Sequence, residues 1–142
     1  MKVLVDTNVI LDYILQREHY VEAKQAIIHE LVSKNEMLMS VGGFYTMLFV
    51  VDKYFRKELH QGRMAATAQT RDVMRKVLSV FNVIDHDNAS LLRGLENETF
   101  SDIEDSCQYQ LAVKSGCEKL LTFNATDFPI SDDSLVKVVS LL

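Results

Sequence analysis

Hydrophobic positions in this chain form two kinds of run: short and unbroken, or spread at helical spacing. Val3-Leu4-Val5 is of the first kind. It is too short for a buried helix and reads as a strand covered on both faces. It stops at the polar Asp6-Thr7-Asn8, and a new pattern, Val9-Ile10-Leu11 then Tyr13-Ile14-Leu15, predicts a helix ending near Gln16-Arg17-Glu18. His19 to Lys34 predicts a second helix, with Tyr20, Ala23, Ile27 and Leu31 on one stripe. Met37 to Ser40 is a second strand, and Gly42-Gly43 turns the chain into a third helix, Phe44 to Phe55. That helix is apolar enough (Phe44, Met47, Leu48, Val50, Val51) to expect packing on more than one side. A fourth helix, His60 to Leu78, has Met64, Ala68, Met74, Val77 and Leu78 for packing. Val80 to Ile84 gives a third strand, and Asp87 caps a fifth helix over Asn88 to Asn97. Asp102-Ile103-Glu104-Asp105 opens a sixth, with Ile103, Cys107 and Leu111 at i, i+4, i+8 and Gly116 placed to close it. Lys119 to Thr122 is a fourth strand, Phe123 to Phe128 a polar turn, and Leu135 to Val139 a last strand.

Short apolar strands alternating with helices predict a three-layer α/β/α sandwich around a mostly parallel, roughly five-stranded sheet. A length of 142 residues suits a single domain spanning 1–142. Apolar residues make up 48% and charged residues 25%, as in a soluble globular protein. No apolar run approaches the ~20 residues of a membrane span, and no leader pattern precedes the first strand, so a cytoplasmic protein without a membrane partner is expected. Two cysteines, Cys107 and Cys117, are too few for a disulfide scaffold or a closed zinc site.

The net charge of -5 is unevenly spread. Residues 51–80 carry seven bases against three acids, and the remainder carries eight against seventeen. A basic helical region beside an acidic centre suits a phosphate-bearing substrate held over metal ions; a solvated helix surface explains the charge equally well. The acids fall at strand ends or helix starts: Asp6, the Asp102/Glu104/Asp105 cluster, and Asp127. In a parallel sheet, ligand sites lie outside the carboxyl ends of the strands, so acids distant in sequence can meet in one cleft. Carboxylates brought together repel, and one protonates unless a cation is present. Mg²⁺ or Mn²⁺, with its preference for oxygen ligands, resolves that conflict and serves phosphodiester hydrolysis. Asp102 and Asp105, three apart, should share a helix face, with Glu104 pointing elsewhere. Helix capping and the helix dipole remain the competing explanation for each acid alone. Neither a P-loop nor a GxGxxG motif occurs, and His19, His29, His60 and His86 show no metal spacing.

Val3-Leu4-Val5-Asp6-Thr7-Asn8-Val9-Ile10-Leu11-Asp12 resembles the opening of PIN domains, including the VapC-type toxins of bacterial toxin–antitoxin pairs. Asp102 to Tyr109 and Leu121 to Phe128 resemble their second half, so the likeness spans essentially the whole chain. It implies an Mg²⁺- or Mn²⁺-dependent endoribonuclease. Asp6, Asp105 and Asp127 would be its metal-binding acids, with Asp102 a further candidate on the catalytic helix. Thr7, Asn8, Thr122 and Asn124 would match the supporting polar residues. Lys53, Arg56, Lys57 and Arg63 would hold the RNA backbone. The resemblance also implies an antitoxin protein as partner, and homodimers. In one place the chain departs from the family: the usual glutamate early in the third helix aligns with Thr46. A degenerate PIN-like module, binding RNA or a protein partner without cleavage, is therefore the alternative.

Overall fold

The computed structural model describes residues 1–129 and 135–142. Among them, β1 (Lys2–Val5), β2 (Glu36–Ser40), β3 (Asn82–Ile84), β4 (Lys119–Thr122) and β5 (Lys137–Ser140) form one sheet in the order β3-β2-β1-β4-β5. Every pairing is parallel. β1 is central, with Leu4 in register with Leu38 on one side and Leu120 on the other. Alternation along the strands sends these three leucines into one core. Val3, Val5, Met37, Met39 and Leu121 enter the other.

The second of these cores is roofed by α1 (Thr7–Ile14), α2 (Tyr20–Val32), α3 (Val41–Lys53) and α4 (Arg63–Val80), which contribute Ile10, Ile27, Met47 and Met74. The leucine core is covered by α6 (Ile103–Lys114) through Leu111 and Ala112, joined by Phe128 and Val136. α5 (Asn88–Glu96) lies against α6, close enough that a Cβ at Gly94 would collide with Cys107. The three-layer α/β/α expectation and the parallel sheet are both met.

Local signals at two termini act as anticipated. Asp87 caps α5 by accepting from the Ser90 amide at 2.8 Å. Gly116, at φ +71°, lets the Cys117 amide reach back to the Ala112 carbonyl and closes α6.

Elsewhere the elements shift, for physical reasons. Gly42-Gly43 is no turn. Ser40 caps α3, its Oγ accepting from the Gly43 amide at 2.9 Å, so the helix starts at Val41. Gly43 is small because α1 is close, and a Cβ there would run into the Thr7 hydroxyl. α3 buries one stripe, Gly43, Met47 and Val51, rather than several sides, and Tyr45 and Phe49 stand in solvent. It continues into a π-helical turn, Tyr54–Glu58. α4 packs through Ala66, Thr70, Met74 and Val77 while Met64 and Ala68 are exposed, and it runs on to Val80, which shortens β3. Ile103 is exposed too, so only the later part of the α6 stripe is core.

Candidate active site

The parallel strands deliver their carboxyl ends to one edge of the sheet, where Asp6 follows β1 and Thr122 ends β4. Val5 is in register with Leu121, and the Asp6 amide donates to the Leu121 carbonyl at 3.0 Å. Asp6 occupies the cap position of α1 but makes no side-chain cap. Its Oδ2 instead accepts from the Thr122 hydroxyl at 2.9 Å. That hydroxyl is fully buried and also accepts from the Asn124 amide at 3.2 Å. A capping role for the Asp6 side chain is thereby excluded, and its carboxylate is oriented towards the strand edge.

Asp105, on the first turn of α6, is half-buried. Its carboxyl is pushed up to about 6, first by burial and then by the charges of Asp102, Asp6, Asp127 and Glu104. Asp127 ends a short 3-10 turn, Ala125–Asp127, and is exposed. These acids thus feel one another across a gap of 121 residues in sequence, from Asp6 to Asp127.

Asp102 lies outside α6, at its cap, with its Oδ1 accepting from the Asp105 amide at 3.0 Å. Glu104 is the acid that joins Asp6 in lining a cavity of about 310 Å³. Thr7, Asn8, Ser40, Thr46 and His86 share that cavity. The Thr46 hydroxyl donates to the Gly42 carbonyl at 3.1 Å, a helical back-bond. The His86 Nδ1 is 2.7 Å from the Ser90 hydroxyl, and burial together with Lys114 lowers its pKa, so the ring is neutral at neutral pH. Asn8 and Asn124 line an adjoining cavity that also holds Arg17. Arg17 is anchored by its Nε on the buried Asp12 carboxylate at 2.8 Å. Sequence reasoning pointed Glu104 away from the site, set His86 aside for want of metal spacing, and did not consider Arg17. Arg17 had no signal beyond an acid five residues earlier.

Among the described residues, no lysine or arginine lines the Asp6 cavity. Hard oxygen donors with a carboxyl forced towards protonation are the donor chemistry that a divalent cation suits. Among the described residues, no three His, Cys, Asp or Glu side chains close around a common ion position, so the acids are neighbours rather than a finished cage. Lys53, Arg56, Lys57 and Arg63 are all exposed on the far part of α3, the π turn and the start of α4. Arg56 is paired with Asp52 at 2.8 Å.

The sequence profile of the PIN domain matches residues 2–126. The chain belongs to the PIN domain family. Ribonuclease VapC1 of Aquifex aeolicus is 29% identical over 126 residues, covering 85% of this chain and 80% of that protein. Among solved structures, a toxin–antitoxin complex from Klebsiella pneumoniae superposes with a TM-score of 0.65 at 22% identity, covering 99% of this chain and 98% of the other. VapBC2 from Rickettsia felis, bound to a DNA fragment from its promoter, gives 0.65 at 17% identity, with the same coverage. These structural likenesses extend the PIN fold over both halves of the chain. Among the described residues, no helix is long and apolar enough to cross a membrane, and Cys107 and Cys117 are free thiols.

Proposed function

We propose that this PIN domain is an endoribonuclease that uses Mg²⁺ or Mn²⁺ and acts as the toxin of a toxin–antitoxin pair. The observation that carries the reading is Asp6, held at the strand edge by Thr122, within charge range of Asp105, whose carboxyl is raised to about 6 first by burial and then by Asp102, Asp6 and Asp127. Asp6, Asp105 and Asp127 would hold the ion. The chemistry such an ion supplies is a water acidified enough to attack at neutral pH and positive charge beside the departing oxygen. The chain's own part is orientation. Thr122 holds one Asp6 oxygen and, among the described residues, no hydrogen bond engages the other, while the Asn124 amide fixes Thr122 in turn. Asn8 and Thr7 border the same space, and Asp102 stiffens the start of α6 beneath Asp105. Lys53, Arg56, Lys57 and Arg63 supply positive charge for the RNA backbone. An antitoxin partner is supported by the Klebsiella pneumoniae toxin–antitoxin complex, whose fold this chain shares.

A second reading, binding without cleavage, is favoured by Thr46. It contributes no charge, and its hydroxyl is already engaged by the Gly42 carbonyl. Incubating a mixed RNA pool with Mn²⁺, Mg²⁺ or EDTA, with wild type and Asp6→Asn in parallel, separates the two. Nuclease action predicts cleavage that requires metal and falls to the EDTA background in Asp6→Asn. Equal traces from both proteins would establish the non-cleaving reading.

A further inference from the structure

A groove of about 680 Å³ lies between α3 and α4, apart from the carboxylates. Tyr45 and Phe49 form one wall. They are four residues apart on α3, hence on one face, and are 67% and 66% exposed. Arg63 and Arg71 rise from α4 on the other side. Their eight-residue separation spans about 12 Å of helix. Arg56 closes the groove from the π turn, where Asp52 already engages it. Arg63 and Arg71 form no ion pair within 4 Å among the described residues. With three arginines and one aspartate, this is a cationic lining in a chain of net charge -5.

Two large aromatics side by side in water bury little within the protomer, and their faces remain available. Aromatic faces accept nucleobases of any sequence, and guanidinium groups pair with phosphate oxygens. A row of aromatics facing a row of arginines matches a single strand, whose bases and phosphates separate to opposite sides. A duplex keeps its bases stacked inside and cannot offer them. The groove and the Asp6 cavity are separate but share α3, which gives Tyr45 and Phe49 to the first and Thr46 to the second.

We infer that this groove binds single-stranded RNA, with bases stacked on Tyr45 and Phe49 and phosphates held by Arg63 and Arg71. The inference builds on the ribonuclease reading but adds Tyr45, Phe49 and Arg71. It also narrows the basic set, since neither Lys53 nor Lys57 lines the groove.

The test is fluorescence anisotropy with a labelled oligouridylate and the full chain in EDTA, where no cleavage interferes. Wild type is compared with Tyr45→Ala, Phe49→Ala, Arg63→Gln and Arg71→Gln. Protein concentrations are chosen so that sedimentation shows one oligomeric state throughout. Each aromatic loss should weaken binding by roughly 5- to 150-fold, the range of one stacked base. Each arginine loss should reduce the slope of log affinity against log salt by about 0.7. A hairpin duplex should bind without dependence on Tyr45 or Phe49. Wild-type affinity in all four variants, or no binding by wild type, would overturn the inference. So would a dimer broken by Tyr45→Ala or Phe49→Ala with RNA affinity retained, which would make the face a protein interface. The two readings fail separately. Unweakened groove variants beside an inactive Asp6→Asn would leave the nuclease intact without this groove. Weakened groove variants beside unchanged traces from Asp6→Asn would leave an RNA-binding PIN domain that does not cut.

Discussion

The Thr122 hydroxyl is the smallest group on which the site depends. It is fully buried, donates to Asp6 and accepts from the Asn124 amide. Thr122→Val preserves its shape and removes both bonds. Asp6, half-buried, and the exposed Asn124 lose a partner that water replaces only in part, which costs about 0.5–1.5 kcal/mol of stability. Losing an outer partner of a ligating carboxylate typically weakens metal binding by about 10–100-fold. A calorimetric Mn²⁺ titration should show that loss in the variant; equal affinity would mean that Asp6 is oriented without Thr122. At this scale, the position of Asp6 at a strand end was legible in the sequence, because strand, polar turn and helix follow in order. The placement of Asp102 and Glu104 on α6 differs from the expectation. Helical spacing pairs Asp102 with Asp105, but Asp102 sits at φ -112°, ψ 121°, outside the helix, where that periodicity does not extend. Its carboxylate caps Asp105, and Glu104 lines the Asp6 cavity instead.

Among elements, the sequence pattern found the helices and strands in order but misjudged what they bury. α3 looked packed on several sides because Phe44, Met47, Leu48, Val50 and Val51 are all apolar, yet composition does not fix burial: Phe44, Leu48 and Val50 are only half-buried, and Tyr45 and Phe49 are exposed. The Gly42-Gly43 pair resembled a turn because nothing in the sequence reveals that Thr7 would occupy the space of a Cβ at position 43. Nor did the pattern reveal the link between α2 and β4. Glu30, which is 2% exposed, accepts from Lys119 at 2.5 Å and from Asn35 at 2.6 Å. Burial pushes its carboxyl up, but those hydrogen bonds and the Lys119 charge outweigh burial and leave it below its ordinary value. A lowered carboxyl stabilises the fold at pH values above its unfolded pKa, about 4.3 for glutamate, and that contribution disappears as pH falls through the lower folded value. Glu30→Gln strands the lysine and should cost about 3–5 kcal/mol at neutral pH. The gap in melting temperature should narrow as acid protonates Glu30 in the wild type. Parallel curves down to pH 3 would show that the pair contributes nothing specific.

For the whole molecule, the parallel sheet gathers negative charge at one edge, and the fold carries the strain of that gathering. Asp105 shows the direction. Its folded pKa of about 6 lies above its ordinary value of 3.8, so its ionisation opposes folding as pH rises through that window. Stability that this group supports below pH 3.8 is lost by the time pH passes 6. A divalent cation reverses the balance, because it prefers the ionised carboxylate and binds only the folded arrangement. At pH 5 the ion must displace a proton from Asp105; at pH 7.5 it need not. Millimolar Mn²⁺ should therefore raise the melting temperature clearly at pH 7.5 and much less at pH 5, and Asp105→Asn should abolish most of that difference. Saturation at 100 times the dissociation constant corresponds to about 2.7 kcal/mol, a shift of roughly 9 °C for a chain of this size. An equal shift at both pH values would mean that the ion does not compete with the Asp105 proton. The absence of any shift would mean that Asp6, Asp105 and Asp127 adjoin without ever closing on a metal, and the PIN fold here would serve binding alone.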